Sequence, residues 1–291
     1  MGVGGTMSEL FDSEFLKKLQ RLVINSRIVL SEGMGGNRKS RSKGSSVEFS
    51  DYREYAASDD FRRVDWNAYG RFEKLYIKLF MEEREAPVHV FLDTSKSMDW
   101  GEPNKSVASR RLAAVLSYIS LSNYDTVSLT SIGSRMEESK ASLRGKNSFK
   151  EVLDFLEKME YGGPTDLYAA VRDSGLKSGR GISILISDLF SQGSLEDAVK
   201  YLQFRKQEVF LCHMLAPQEV NPEINASLRL VDIETGEYRD ITATSRLVKA
   251  YKNVYHKFIA STEAMCRRRG VNYIKMETTM DLDQMIKMVV R

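Results

Sequence analysis

An α/β fold is predicted for this chain: a mostly parallel sheet with helices on both faces, an N-terminal helix and strand segment before it, and a β-hairpin inserted late. Three observations predict it. From Pro87 onward, short apolar runs alternate with amphipathic stretches of helical length, which is the pattern of βαβ units. Two of those runs, 87–92 and 182–187, lead directly into an aspartate, Asp93 and Asp188. The composition, 42% hydrophobic and 29% charged over 291 residues, is that of an ordinary globular protein with enough apolar residues for a full core.

The elements follow in order. Residues 13–30 carry Phe15, Leu16, Leu19, Leu22, Val23 and Ile28 near helical spacing behind Ser13, a suitable N-cap, and predict an amphipathic helix. The stretch from Gly33 to Ser46 is rich in glycine, serine and basic residues and reads as a solvated loop whose cations suit phosphate or an acidic surface. From Phe49 to Arg84 the chain is dense in arginine, aspartate and aromatics. Here ion pairs are expected among Arg53, Asp59, Asp60, Arg62, Asp65 and Arg71, with Tyr55 and Trp66 packed beneath them. Residues 75–81 alternate and read as a strand. Strands then follow at 87–92, 126–132, 182–187 and 208–215, and helices at about 104–122, 148–158, 166–177 and 194–205. Two runs around Thr235-Gly236 form the hairpin. A long helix at 244–269, a strand at 271–276 and a helix at 281–290 complete the chain. The division expected is 1–84 as an N-terminal region and 85–291 as the α/β domain, with the hairpin insertion near 226–243.

Several functional classes are excluded by what the sequence lacks. A formal charge of +3 is too small to point to nucleic acid. No apolar run is long enough to span a bilayer, and no basic region followed by an apolar one marks a secretory signal. Met1 to Thr6 fits a myristoylation pattern formally but reads as a disordered leader, or as an early alternative start with Met7 the true one. Cys212 and Cys266 read as free thiols with pairing left open, and a cytoplasmic location is expected. There is no phosphate-binding loop with its terminal Lys-Ser/Thr, no dinucleotide fingerprint, no Gly-x-Ser-x-Gly elbow and no His-Glu-x-x-His. His89, His213 and His256 read as structural residues.

What the sequence does carry is a set of hard oxygens. The spacing Asp93-x-Ser95-x-Ser97 places one carboxylate and two serine hydroxyls on a single loop at the C-terminal end of a predicted strand, the edge at which open α/β sheets bind ligands. Thr165 follows Gly162-Gly163-Pro164 at a predicted helix start, and Asp188 ends another strand. Hydroxyl and carboxylate oxygens suit Mg²⁺ or Mn²⁺ better than zinc or copper. The competing reading is local: the aspartates cap their loops and the serines cap the next helix.

This ordered set resembles the metal-ion-dependent adhesion site of von Willebrand factor A domains. The resemblance implies a von Willebrand A-like, Rossmann-type fold. It also implies a metal site in which Ser95 and Ser97 bind directly, Thr165 binds directly or through water, and Asp93 and Asp188 act mainly through water. One position stays open for an acidic group of a partner. A second resemblance covers Val47 to Arg71. The segments Val47-Glu48-Phe49-Ser50-Asp51-Tyr52-Arg53-Glu54-Tyr55 and Asp59-Asp60-Phe61-Arg62-Arg63-Val64-Asp65-Trp66, with Arg71, are similar to the signature of a bacterial family of von Willebrand A-like proteins catalogued as domain of unknown function number fifty-eight. Ser58 and Gly70 stand where glycine and alanine are common in it. Many relatives carry apolar membrane anchors before this region; none is evident here. Relatives are commonly linked to MoxR-type AAA+ ATPases.

Together these readings give a divalent-metal-dependent protein-interaction module, an adaptor for a MoxR-type AAA+ ATPase in assembly or maturation of other proteins, and not an enzyme. Its partner is a protein donating an Asp or Glu carboxylate, with no nucleic acid and no direct membrane span. The alternatives are a metal-dependent hydrolase of phosphatase type, with Lys96 and Asp99 as the nearby ionisable groups, and a scaffold whose metal site is vestigial.

Overall fold

The computed structural model describes residues 9–19, 47–56, 59–82, 87–123, 125–222, 227–231, 236–242 and 244–290. The leader, the basic loop at 33–46 and the C-terminal part of the first predicted helix lie outside them. The described residues fall into two compact units: those of Met1–Arg27 with Ala86–Arg291, and those of Ile28–Glu85. Among the described residues, no helix is long and apolar enough to cross a membrane.

The larger unit is a six-stranded sheet in the order β10-β7-β6-β3-β4-β5. Its strands are β3 (Pro87–Asp93), β4 (Thr126–Ile132), β5 (Met136–Arg144), β6 (Gly181–Ser187), β7 (Gln207–Leu215) and β10 (Asn272–Glu277). All neighbours pair in parallel except β4 and β5. Helices α3 (Lys105–Ser122), α4 (Phe149–Glu157) and α9 (Leu282–Val289) pack together, with α3 lying on the sheet, while α5 (Leu167–Asp173), α6 (Leu195–Phe204) and α8 (Ser245–Arg269) complete the cover. This is the α/β architecture the sequence predicts.

Burial explains why β3 and β6 read so plainly. Covered on both faces, they are largely apolar on both, with His89 and Ser183 as the polar interruptions. Val90, Phe91 and Leu92 are at most 1% exposed, as are Leu185 and Ile186. Phe91, Leu185 and Leu211 join Leu167, Val171, Val199, Leu202 and Met265 in one core cluster, which seats α5, α6 and α8 against the sheet. Both cysteines are buried and free. Residues 13–19 form helix α1, whose Phe15 and Leu19 are buried and beside which the Arg111 side chain donates to the Leu10 carbonyl at 3.0 Å. A short helix α7 (Pro217–Val220) follows β7, and β8 (Ser227–Val231) pairs antiparallel with β9 (Tyr238–Thr242), the inserted hairpin.

Strand β5 is an addition to the sequence reading. Its nine residues include one buried side chain, Leu143, because it is an antiparallel edge strand with no second neighbour and little apolar signal.

The smaller unit holds β1 (Val47–Glu54), α2 (Trp66–Phe72) and β2 (Tyr76–Glu82), with β1 and β2 antiparallel. Its charged segment is organised differently from the expectation. Arg53 and Asp59 do pair at 2.6 Å. Asp60, however, accepts from the Arg62 N–H. Asp65, 7% exposed, accepts from Asn67 and Ala68 N–H as the N-cap of α2 and from the Tyr52 hydroxyl at 2.9 Å. Trp66 is 56% exposed, outside the charges and not beneath them. The buried places go to Val64, Ala68 and Ile77, while Asp65 is held at the N-terminus of α2 by the N–H groups it caps.

Candidate metal centre

The five predicted residues lie on three loops at the C-terminal edge of the parallel strands. Asp93 ends β3. The Ser95 N–H donates to its Oδ1 at 2.9 Å, folding the loop back on itself. A 3₁₀ turn, Lys96–Met98, follows and brings the Ser95 and Ser97 hydroxyls to 3.0 Å. Asp93, Thr94 and Ser95 are at most 1% exposed, and Ser97 is half-buried. Thr94 is not part of the group, because its hydroxyl bonds to the Ile132 carbonyl and to Glu137 Oε2 at 2.8 Å.

The second loop lies alongside the first. Gly162 N–H donates to the Thr94 carbonyl and Lys96 N–H to the Gly163 carbonyl, each at 2.9 Å. Gly163 has φ +63°, a left-handed conformation that favours glycine. Thr165 is fully buried. Its hydroxyl donates to the Gly133 carbonyl at 3.2 Å, so its oxygen lone pairs remain for an acceptor or ligand role. Asp166 is occupied as the N-cap of α5.

The third loop leaves β6. The Ser187 hydroxyl donates to Asp93 Oδ2 at 2.5 Å and accepts from Leu189 N–H. Asp188, also fully buried, accepts from Phe190 N–H through Oδ1 and from Lys105 Nζ through Oδ2 at 2.9 Å. Gln192 N–H closes the ring of loops on the Thr165 carbonyl at 2.9 Å. Strands β3 and β6 are parallel neighbours with Leu92 opposite Ile186, so Asp93 and Asp188 emerge from strands about 5 Å apart.

Asp93 has no solvent access, and among the described residues its hydrogen-bond donors are neutral groups of Ser95 and Ser187. Burial pushes its carboxyl up, the negative charge of Asp188 pushes it further, and the bonds from Ser187 and Ser95 only partly oppose them, leaving it at about 7. A buried carboxylate beside a second one, with no cation bonded to it among the described residues, favours entry of positive charge. The oxygens around it, two serine hydroxyls and a threonine hydroxyl, are hard and neutral, and the residues present fit Mg²⁺ or Mn²⁺. Among the described residues there is no group of three or more His, Cys, Asp and Glu side chains suited to an ion.

The family model described as "Protein of unknown function DUF58" matches residues 51–260. The chain belongs to this family. No curated protein matches it. Among solved structures, the DUF58 chain is similar to the conserved hypothetical protein BatB from Bacteroides thetaiotaomicron, at 15% identity and TM-score 0.42, over 71% of this chain and 100% of that one. It is similar to an aerotolerance-related membrane protein from Bacteroides fragilis at 14% identity and TM-score 0.41, over 70% and 98%. It is also similar to the SpRpn10 VWA domain at 10% identity and TM-score 0.40, over 70% and 94%. Likeness at this level extends neither to individual residues nor to activity.

Sequence reasoning missed two groups of this DUF58 site. Ser187 orients Asp93, and the residue before a strand-terminal aspartate gave no signal of that. Lys105 and its second partner, Glu219 on α7, were also missed. Lys105 is the first residue of α3, where a cation meets the positive end of the helix dipole. That misplacement was the available clue. Of the histidines, His213 is buried, bonded to the Tyr273 hydroxyl at 2.7 Å and lowered by burial to about 4, which makes it a neutral packing residue.

Proposed function

We propose that this DUF58 protein is a divalent-cation-dependent protein-interaction module. Asp93, Ser95, Ser97, Thr165 and Asp188 hold Mg²⁺ or Mn²⁺, and a partner protein contributes an Asp or Glu carboxylate. The observation that carries the reading is Asp93: a fully buried carboxylate with neutral donors, next to a second buried carboxylate and a set of hydroxyls. When bound, the ion supplies a strongly charged point to which an incoming carboxylate can bond. The chain's own residues set how much of that charge remains. Ser95, Ser97 and Thr165 are neutral, and Asp188 is already shared with Lys105. Trp100 and Phe190, 40% and 50% exposed on the first and third loops, supply apolar surface for the residues flanking a partner's carboxylate.

The partner we favour is a MoxR-type AAA+ ATPase, with the chain as its adaptor in assembly or maturation of other proteins. The resemblance of the Val47 to Arg71 signature supports this choice. A hydrolase is less well supported. Lys96 and Asp99 are exposed, and Asp99 accepts from Asn104 Nδ2 at 3.0 Å and from the Ser106 hydroxyl, which ties it to its own loop. The test is capture of a purified MoxR-type ATPase by the immobilised protein in Mg²⁺ and in EDTA. Capture in Mg²⁺, its loss in EDTA and its loss in Ser97→Ala are expected. Equal capture with and without metal overturns the bridging role.

A further inference from the structure

Resting on that metal reading, we infer that Lys105 is a resident counter-cation of the site, competing with the divalent ion for Asp188 and so setting how tightly the ion is held. The Lys105 side chain has no solvent access. Its ammonium donates to Asp188 Oδ2 at 2.9 Å and to Glu219 Oε1 at 2.5 Å. Glu219 is itself fixed, because its other oxygen accepts from the Ala216 N–H at 2.7 Å, and the Tyr251 hydroxyl on α8 bonds to its carbonyl. The indole of Trp100 lies over the ammonium, 5.9 Å from ring centroid to Nζ.

Nothing local favours a lysine here. It opens α3, behind the Asn104 N-cap, with no acidic residue in the first turn, so the helix dipole opposes it. Its ammonium lies between the Asp188 and Glu219 carboxylates, bonded to both. A buried charge in that position persists only because carboxylates surround it. Lys105 thus keeps the metal-free fold from holding Asp188 and Glu219 as unpaired carboxylates, and it also repels the ion it makes room for. A charge one carboxylate away acts across about 5 Å, and even at a nearly aqueous dielectric constant that is worth about tenfold in affinity for a divalent ion.

The experiment is calorimetric titration of the metal-free full chain with Mn²⁺ and with Mg²⁺, for the wild type, Lys105→Met and Glu219→Gln. Lys105→Met is expected to bind about tenfold more tightly, with a lower melting temperature in EDTA and a larger rise on adding metal. Glu219→Gln, in which Lys105 turns wholly to Asp188, is expected to bind more weakly. A merely structural lesion weakens binding in both variants, so tightening in the first is diagnostic. Should Lys105→Met fail to fold, Glu219→Gln decides: unchanged or tighter binding overturns the inference. Wild-type binding with equal or weaker binding in Lys105→Met overturns the Lys105 role and leaves the metal reading standing. A silent wild type with a binding Lys105→Met upholds the Lys105 role and withdraws the metal reading from the native protein. Silence in both overturns both.

Discussion

Asp93 makes stability in the absence of metal depend on pH. Its carboxyl sits at about 7 in the folded protein against an ordinary 3.8. Between those values the folded state keeps a proton that the unfolded chain has released. The stabilisation is therefore complete below pH 4 and is lost as pH rises through 7. A difference of about three pH units corresponds to about 4 kcal/mol. Asp93→Asn keeps the shape and can still accept from the Ser95 N–H, but it has no proton to lose. Urea unfolding in EDTA, followed by tryptophan fluorescence, measures both proteins at pH 4 and pH 8. The variant should gain about 4 kcal/mol on the wild type across that range. At pH 8, saturating Mg²⁺ should restore the wild type and leave the variant unmoved. A constant difference between the two proteins at every pH would refute the argument that Asp93 is buried without a cation.

Ser97→Ala removes a half-buried hydroxyl bonded to Ser95; Mn²⁺ binding should weaken about tenfold or more while circular dichroism and melting in EDTA stay near wild type. Asp65→Ala deletes the N-cap of α2 and the acceptor of Tyr52 and should cost about 2 kcal/mol in denaturant unfolding. Cys212 and Cys266, 0% and 1% exposed and pushed by burial to about 12 and about 11, should react with a thiol reagent only at the rate of unfolding, and rapid labelling of either in native buffer would contradict their placement.

Legibility in the sequence followed burial and locality. Strands β3 and β6 were visible because burial on both faces makes them largely apolar, and the aspartates that follow their apolar runs marked the site edge. Strand β5 was not visible, because an exposed edge strand of nine residues with one buried side chain leaves no period to read. In the small unit the composition was legible but its arrangement was not. Asp60 and Asp65 serve backbone N–H groups, and no count of arginines and aromatics reveals that. Lys105 shows the same limit at the site. A lysine opening a helix reads as solvated, and its partners are 83 and 114 residues away in the chain, within reach only after the sheet has formed.

The central claim is that these oxygens hold a divalent ion. Titration of the metal-free protein with Mn²⁺, followed by calorimetry and by the loss of free-ion paramagnetic signal, tests it most directly. The account predicts saturation at one ion per chain, weakened at least about tenfold by Asp93→Asn and by Thr165→Ala with the fold intact. A titration with no saturable binding, or one unaffected by both substitutions, would contradict it.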